Sequence, residues 1–167
     1  MKLLLILVTV VVLVIVGFFV FSSPKRESKN TISPTQTQQE TEIKAAFAIF
    51  TNGTFRVFIA SMYHNLSDDV FIEASNPNTV RVKKEGVTWD DFFKTLPMKL
   101  TRDCLTTGMG QTFCTNLNQT LKFYINGVLD SNALVRTINE GDQLLVSLGN
   151  ESEAQIQNQL QEIPKIK

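Results

Sequence analysis

Apolar and polar positions divide this chain into three stretches of different texture. From Leu3 to Phe21 the sequence reads LLLILVTVVVLVIVGFFVF, nineteen residues without a charge. Wound as a helix at ~1.5 Å per residue, that run reaches about 28 Å, the thickness of a bilayer's hydrocarbon core. Residues 23 to 42, SPKRESKNTISPTQTQQETE, invert the texture, with no aromatic and a single aliphatic residue, Ile32. Such a stretch buries too little apolar surface to offset the entropy of ordering it, which predicts a flexible linker. From Ile43 onward short apolar runs alternate with turn residues, which predicts a folded domain over residues 43–167.

Within that domain, AAFAIFTNGTFRVFI alternates on both sides of Asn52-Gly53, and TLKFYINGVLD repeats the device around Asn126-Gly127. Asn-Gly tolerates the positive φ that both positions of a tight hairpin turn require, so two hairpins are expected. Between them GVTWDDFFKTLPMKL carries a helix signal. Thr88 is the N-cap, Asp90 and Asp91 complement the helix N-terminus, and Trp89, Phe92, Phe93 and Leu96 fall on one face. Pro97 limits its length. That aromatic face reads as core rather than as a ligand groove. After a turn at Glu140-Gly141-Asp142, a buried strand is expected from Gln143 to Leu148. A surface helix then follows, with Asn150 and Glu153 in capping-box spacing and a thin stripe of Ala154, Ile156, Leu160 and Ile163. The expected fold class is α+β: an N-terminal transmembrane helix, then a small antiparallel or mixed sheet with two short helices, similar to a β-grasp.

The first segment reads as a retained signal anchor over residues 1–22. It is longer than a signal peptide's apolar region, no A-x-A-like site follows, and Pro24 stands directly after Ser22-Ser23. The expected partner of residues 3–21 is therefore the lipid bilayer, in a single-pass cell-membrane protein. Lys25, Arg26 and Lys29 beyond the anchor favour a cytoplasmic domain. Paired cysteines and four N-x-[ST] sequons, at Asn52, Asn65, Asn118 and Asn150, favour the opposite side, and the domain is expected outside the cytoplasm.

Charge narrows the partners further. Sixteen basic and sixteen acidic residues leave no net charge, and the densest basic stretch is RVKK, Arg81 to Lys84. Nucleic acid is not an expected partner. Metal is not expected either, because the single histidine, His64, has only Asp68 and Asp69 near it in sequence. No serine stands in a nucleophile-elbow sequence, GMGQT lacks the lysine of a P-loop, and Asp90 and Asp91 are adjacent on a helix and so diverge. No catalytic residue, cofactor or enzymatic activity is expected.

The two cysteines, Cys104 and Cys114, flank Gly108 and Gly110 in RDCLTTGMGQTFCT. They read as a staple across a hairpin, which would stabilise the domain by roughly 2.5–3 kcal/mol in the chain-entropy model. Two other readings stay open: an exchange-active disulfide, and a pair of metal thiolates assisted by Met109.

Taken in order, the Asn-Gly hairpin, GVTWDDFFKTL, the spaced cysteines and TLKFYINGVLD followed by GDQLLVSLGNESE resemble a family of uncharacterised single-anchor extracytoplasmic proteins of archaea and uncultured bacteria. The resemblance runs from about Ala45 to Leu160. In that family's pattern a histidine precedes the first hairpin and two His-x-His doublets follow it, the second immediately before Gly-Val-Thr. Here Arg81 and Lys83 stand at the second doublet, FIEAS, Phe71 to Ser75, stands at the first, and Ala45 lies where the leading histidine falls. If those histidines hold copper or zinc in the relatives, the resemblance implies that this chain keeps the fold and the staple and has lost the ligands. A non-catalytic binding or structural module is the reading that results. Thiol-disulfide or metal handling through Cys104 and Cys114 is the alternative.

Overall fold

The computed structural model describes residues 42–166. The anchor expected over residues 1–22 and all of the linker but Glu42 lie outside the described residues. Among the described residues no helix is long and apolar enough to cross a membrane.

The domain is built on β1, Ile43–Thr51. All but its first two residues are buried, and the run of apolar residues suits a strand covered on both faces. Ala45, Phe47 and Ile49 face one side of the sheet, Ala46, Ala48 and Phe50 the other. The remaining strands of the main sheet are β2 (Thr54–Phe55), β3 (Val70–Glu73), β4 (Asn76–Val82), β8 (Thr120–Ile125), β9 (Val128–Leu129) and β10 (Gln143–Gly149). Their order is β3-β4-β1-β10-β8-β9, with β2 on the end of β1. β1 and β10, the first and last strands, run parallel at the centre, and β4 and β8 flank them antiparallel. A second sheet of three short strands follows the order β5-β6-β7: Lys99–Leu100, Cys104–Thr106 and Thr112–Cys114.

Two helices complete the α+β domain. Helix α1, Trp89–Thr95, starts at Thr88, whose hydroxyl accepts from the Asp91 amide while the Asp91 carboxylate accepts from the Thr88 amide. Trp89, Phe92, Phe93 and Leu96 are buried as the periodicity expects, and each aromatic contributes about 2–3 kcal/mol by leaving water. Phe47 is the hub of this layer, with edge contacts to Phe58, Phe92 and Phe93 at 5.0, 5.3 and 5.8 Å between ring centres. The small sheet joins the same layer through Leu100 and Leu105. Helix α2, Glu153–Gln161, covers the opposite face, where Ile156 and Ile163 pack with Ala46, Ala48, Phe50 and Leu145.

The cap of α2 differs from the Asn150–Glu153 expectation. Ser152 is the N-cap and closes the box with Gln155. The shift has a tertiary cause: Glu151 is engaged by Lys122 of β8 at 3.0 Å, and its carboxylate lies where a side chain on Gly149 would stand. The chain is therefore still turning off β10 at Asn150. Ala154, placed in the apolar stripe, is exposed, while Gln159 is buried in its stead.

Both Asn-Gly turns form, with φ of 50° and 73° at Asn52-Gly53 and 51° and 81° at Asn126-Gly127. Their second arms stop after two residues, at Phe55 and Leu129. Past Phe55, Phe58 turns into the core against Phe47, leaving Val57 and Ile59 exposed. Past Leu129, Asp130 accepts from the Asn132 amide and pairs with Arg136, which redirects the chain.

Candidate functional site

Cys104 and Cys114 lie directly opposite each other on β6 and β7 and form a disulfide, with their Cα atoms 4.1 Å apart. The Cys104 amide donates to Thr101 Oγ1 and its carbonyl accepts from the Thr101 amide, so neither ladder group is spent on Cys114. That is the closer, non-hydrogen-bonded type of cross-strand pair, which brings two side chains on one face within bonding reach. The Cys114 carbonyl accepts from Gln119 Nε2 at 2.9 Å, which ties the bridge to the turn leading into β8. At the tip the Gly110 amide donates to the Thr107 carbonyl and the Thr107 amide to the Gln111 carbonyl. Gly110 has φ +82°, which an L side chain rarely adopts.

The hairpin tip closes one side of a groove. Gly108 sits so near the Pro97 carbonyl, Met62 Cε and Tyr63 hydroxyl that a Cβ there would lie 2.8–3.0 Å from them. The cavity between the tip, the end of β1 and the loop after β2 measures about 230 Å³. Phe55, Phe58, Tyr63, Met98, Leu105 and Met109 supply most of its wall. Arg56 is the one charged residue lining it. Its Nε donates to Thr51 Oγ1 at 2.5 Å, and its guanidinium carbon stands 4.8 Å from the centre of the Phe113 ring. The sequence offered one signal for this groove, a lone arginine inside the apolar run TFRVFI.

Arg81 lies on β4, next to β3, and Lys83 follows directly after the strand's end. Phe71 is the direct cross-strand partner of Arg81. Arg81 pairs with Glu42 at 2.6 Å and with Glu73 at 3.1 Å, and the Lys83 ammonium stands 5.8 Å from the centre of the Phe71 ring. The two stretches aligned with the family's doublets are thus neighbours in space. Ala45 is not with them, since its side chain lies in the core.

The other titratable candidates are separated. His64 Nε2 donates to the Phe58 carbonyl at 2.8 Å and holds the loop after β2, while Asp69 pairs with Lys84 at 2.9 Å. Asp90 pairs with Lys94 one turn along α1. Asp91 serves the cap, and the Thr88 hydroxyl and amide hold its carboxyl below the ordinary value of 3.8. On the far face burial pushes the Glu151 carboxyl up, but the Lys122 ammonium and a backbone hydrogen bond together outweigh burial and hold it below 4.5. Burial first, and then Glu151 and Glu153, raise the Tyr124 phenol above 10.0. Among the described residues no three His, Cys, Asp or Glu side chains converge as metal ligands would.

Compared with family models, with curated proteins and with solved structures, the chain matches none.

Proposed function

We propose that this chain is a single-pass membrane protein whose folded domain stands outside the cytoplasm and acts as a non-catalytic binding module. The observation that carries the reading is the groove at the tip of the disulfide-closed hairpin. Its wall is apolar with a few polar groups, the composition of a ligand site, and the bridge fixes the wall that the short strands β6 and β7 would hold weakly alone. The anchor and linker fit the same reading: a bilayer-spanning segment and a polar spacer hold the module off the membrane surface.

The β-grasp-like architecture belongs to the same proposal. Support comes from the parallel central pair β1 and β10, an antiparallel neighbour on each side, and α1 across one face. Kinship with the single-anchor family is supported by the adjacency of Phe71, Glu73, Arg81 and Lys83, which would gather the two histidine doublets of that pattern on one sheet face.

Two experiments bear on it. Labelling a cysteine introduced at Thr35 with an impermeant reagent in intact cells should succeed; protection until the cells are opened would reverse the orientation. Turnover of a thiol or disulfide substrate that vanishes in Cys104→Ser would replace the binding role with a redox one.

A further inference from the structure

We infer that the groove is a site for a small amphipathic anion, a carboxylate carrying one apolar or aromatic group, with Arg56 as its charge partner. The inference rests on the binding role proposed above and adds the chemical class of the ligand. Three observations lead to it. First, no Asp or Glu lines the groove, and among the described residues no carboxylate pairs with Arg56. Its only side-chain hydrogen bond among them leaves from Nε, so the two terminal nitrogens have no acceptor there. Second, Thr51 Oγ1 and the Phe113 ring hold the guanidinium from two directions, and Thr51 is itself buried. A guanidinium oriented in this way presents paired N–H donors at the spacing of a carboxylate's two oxygens. Third, most of the other lining residues are apolar and include soft, adaptable thioethers at Met98 and Met109.

Size and polarity then limit the ligand. A cavity of about 230 Å³ is far larger than one water needs. That leaves room for a single ring or a branched chain. A cationic ligand would meet Arg56 with nothing to offset it. The Tyr63 hydroxyl, Thr107 and Gln111 supply polar groups on the hairpin side.

Methionine methyl groups give a direct reading, since Met62, Met98 and Met109 all lie at or beside the groove and Met1 is the only other methionine. The full-length chain, labelled with carbon-13 at its methionine methyls and held in a lipid nanodisc, is titrated with 3-phenylpropionate and separately with 3-phenylpropionamide. The acid should shift the Met98 and Met109 resonances to saturation, and the neutral amide should bind at least about tenfold more weakly. Arg56→Gln should reduce the acid to the level of the amide, and Arg56→Lys should retain part of the difference. Emission from the buried Trp89 reports whether each variant is folded, and Arg56→Lys carries the test if Arg56→Gln is not. Equal binding of acid and amide would overturn the anion assignment while leaving a binding groove in place. Undiminished acid binding in a folded Arg56→Gln, or no methyl shift with either compound, would overturn it outright.

Discussion

Phe71 and Arg81 are direct partners across β3 and β4, and Glu73 completes an ion pair with Arg81 on the same face. A face that the family pattern would fill with imidazoles is therefore closed here by a salt bridge, with the Lys83 ammonium near the Phe71 ring.

That geometry predicts a gain of function. Replacing Phe71, Glu73, Arg81 and Lys83 together by histidine should create a site that carries zinc through gel filtration, whereas the parent chain carries none. Two His-x-His doublets on neighbouring strands present side chains on one face, and neutral imidazole is a preferred zinc ligand. Failure of the folded variant to take up zinc would remove the structural support for the family resemblance.

The ion pair on the opposite face predicts a pH dependence. Glu151 is 5% exposed and Lys122 19% exposed at the side chain. Because the folded state holds the Glu151 carboxyl below 4.5, the pair stabilises the domain fully above that value. Its contribution falls as pH drops through the depressed folded value and is gone below it. Glu151→Gln should cost about 2 kcal/mol at pH 7, below the ~3–5 kcal/mol of a wholly buried pair, since Lys122 keeps some solvent and the amide still accepts. It should also flatten the acid limb of a urea-denaturation series. Adding Lys122→Met should recover most of the loss, and no recovery would show that the two residues act independently.

Asn78 predicts a smaller loss. Beyond Ala46 the pairing of β1 with β4 ends, and β2 takes up the ladder only at Phe50. In the gap, Asn78 Nδ2 donates to the Phe47 carbonyl at 3.1 Å from a buried position. Asn78→Ala leaves that carbonyl without a partner and should cost about 1–3 kcal/mol, read as a lower urea midpoint at unchanged slope. An unaltered midpoint would mean that the carbonyl finds another donor.

Features written in local chemistry were legible in the sequence. The two Asn-Gly turns, the Thr88 cap and the Trp89, Phe92, Phe93 and Leu96 face depend on neighbouring residues, and all formed as read. The opposed cysteines follow from the symmetry of the loop between them. What the sequence hid depends on contacts between distant segments. The parallel pairing of β1 with β10 has no local signature. The start of α2 was misplaced because Lys122, twenty-nine residues before Glu151, draws that carboxylate back over Gly149. The groove escaped for the same reason: Arg56, Tyr63, Met98 and Gln111 come from four separate stretches, and the disulfide brings the last of them into place.

The double variant Cys104→Ser/Cys114→Ser tests the central claim, a domain whose binding groove is held by a structural disulfide, most directly. Compared with the oxidised parent chain, it should lose about 2.5–3 kcal/mol of stability, because its ten-residue loop closure is gone. Trp89 emission should stay that of a buried indole, while the Met98 and Met109 methyl resonances collapse together and lose their response to 3-phenylpropionate. Unchanged stability and an unchanged methyl spectrum, with a disulfide in the parent chain that turns over thiol substrates, would contradict it.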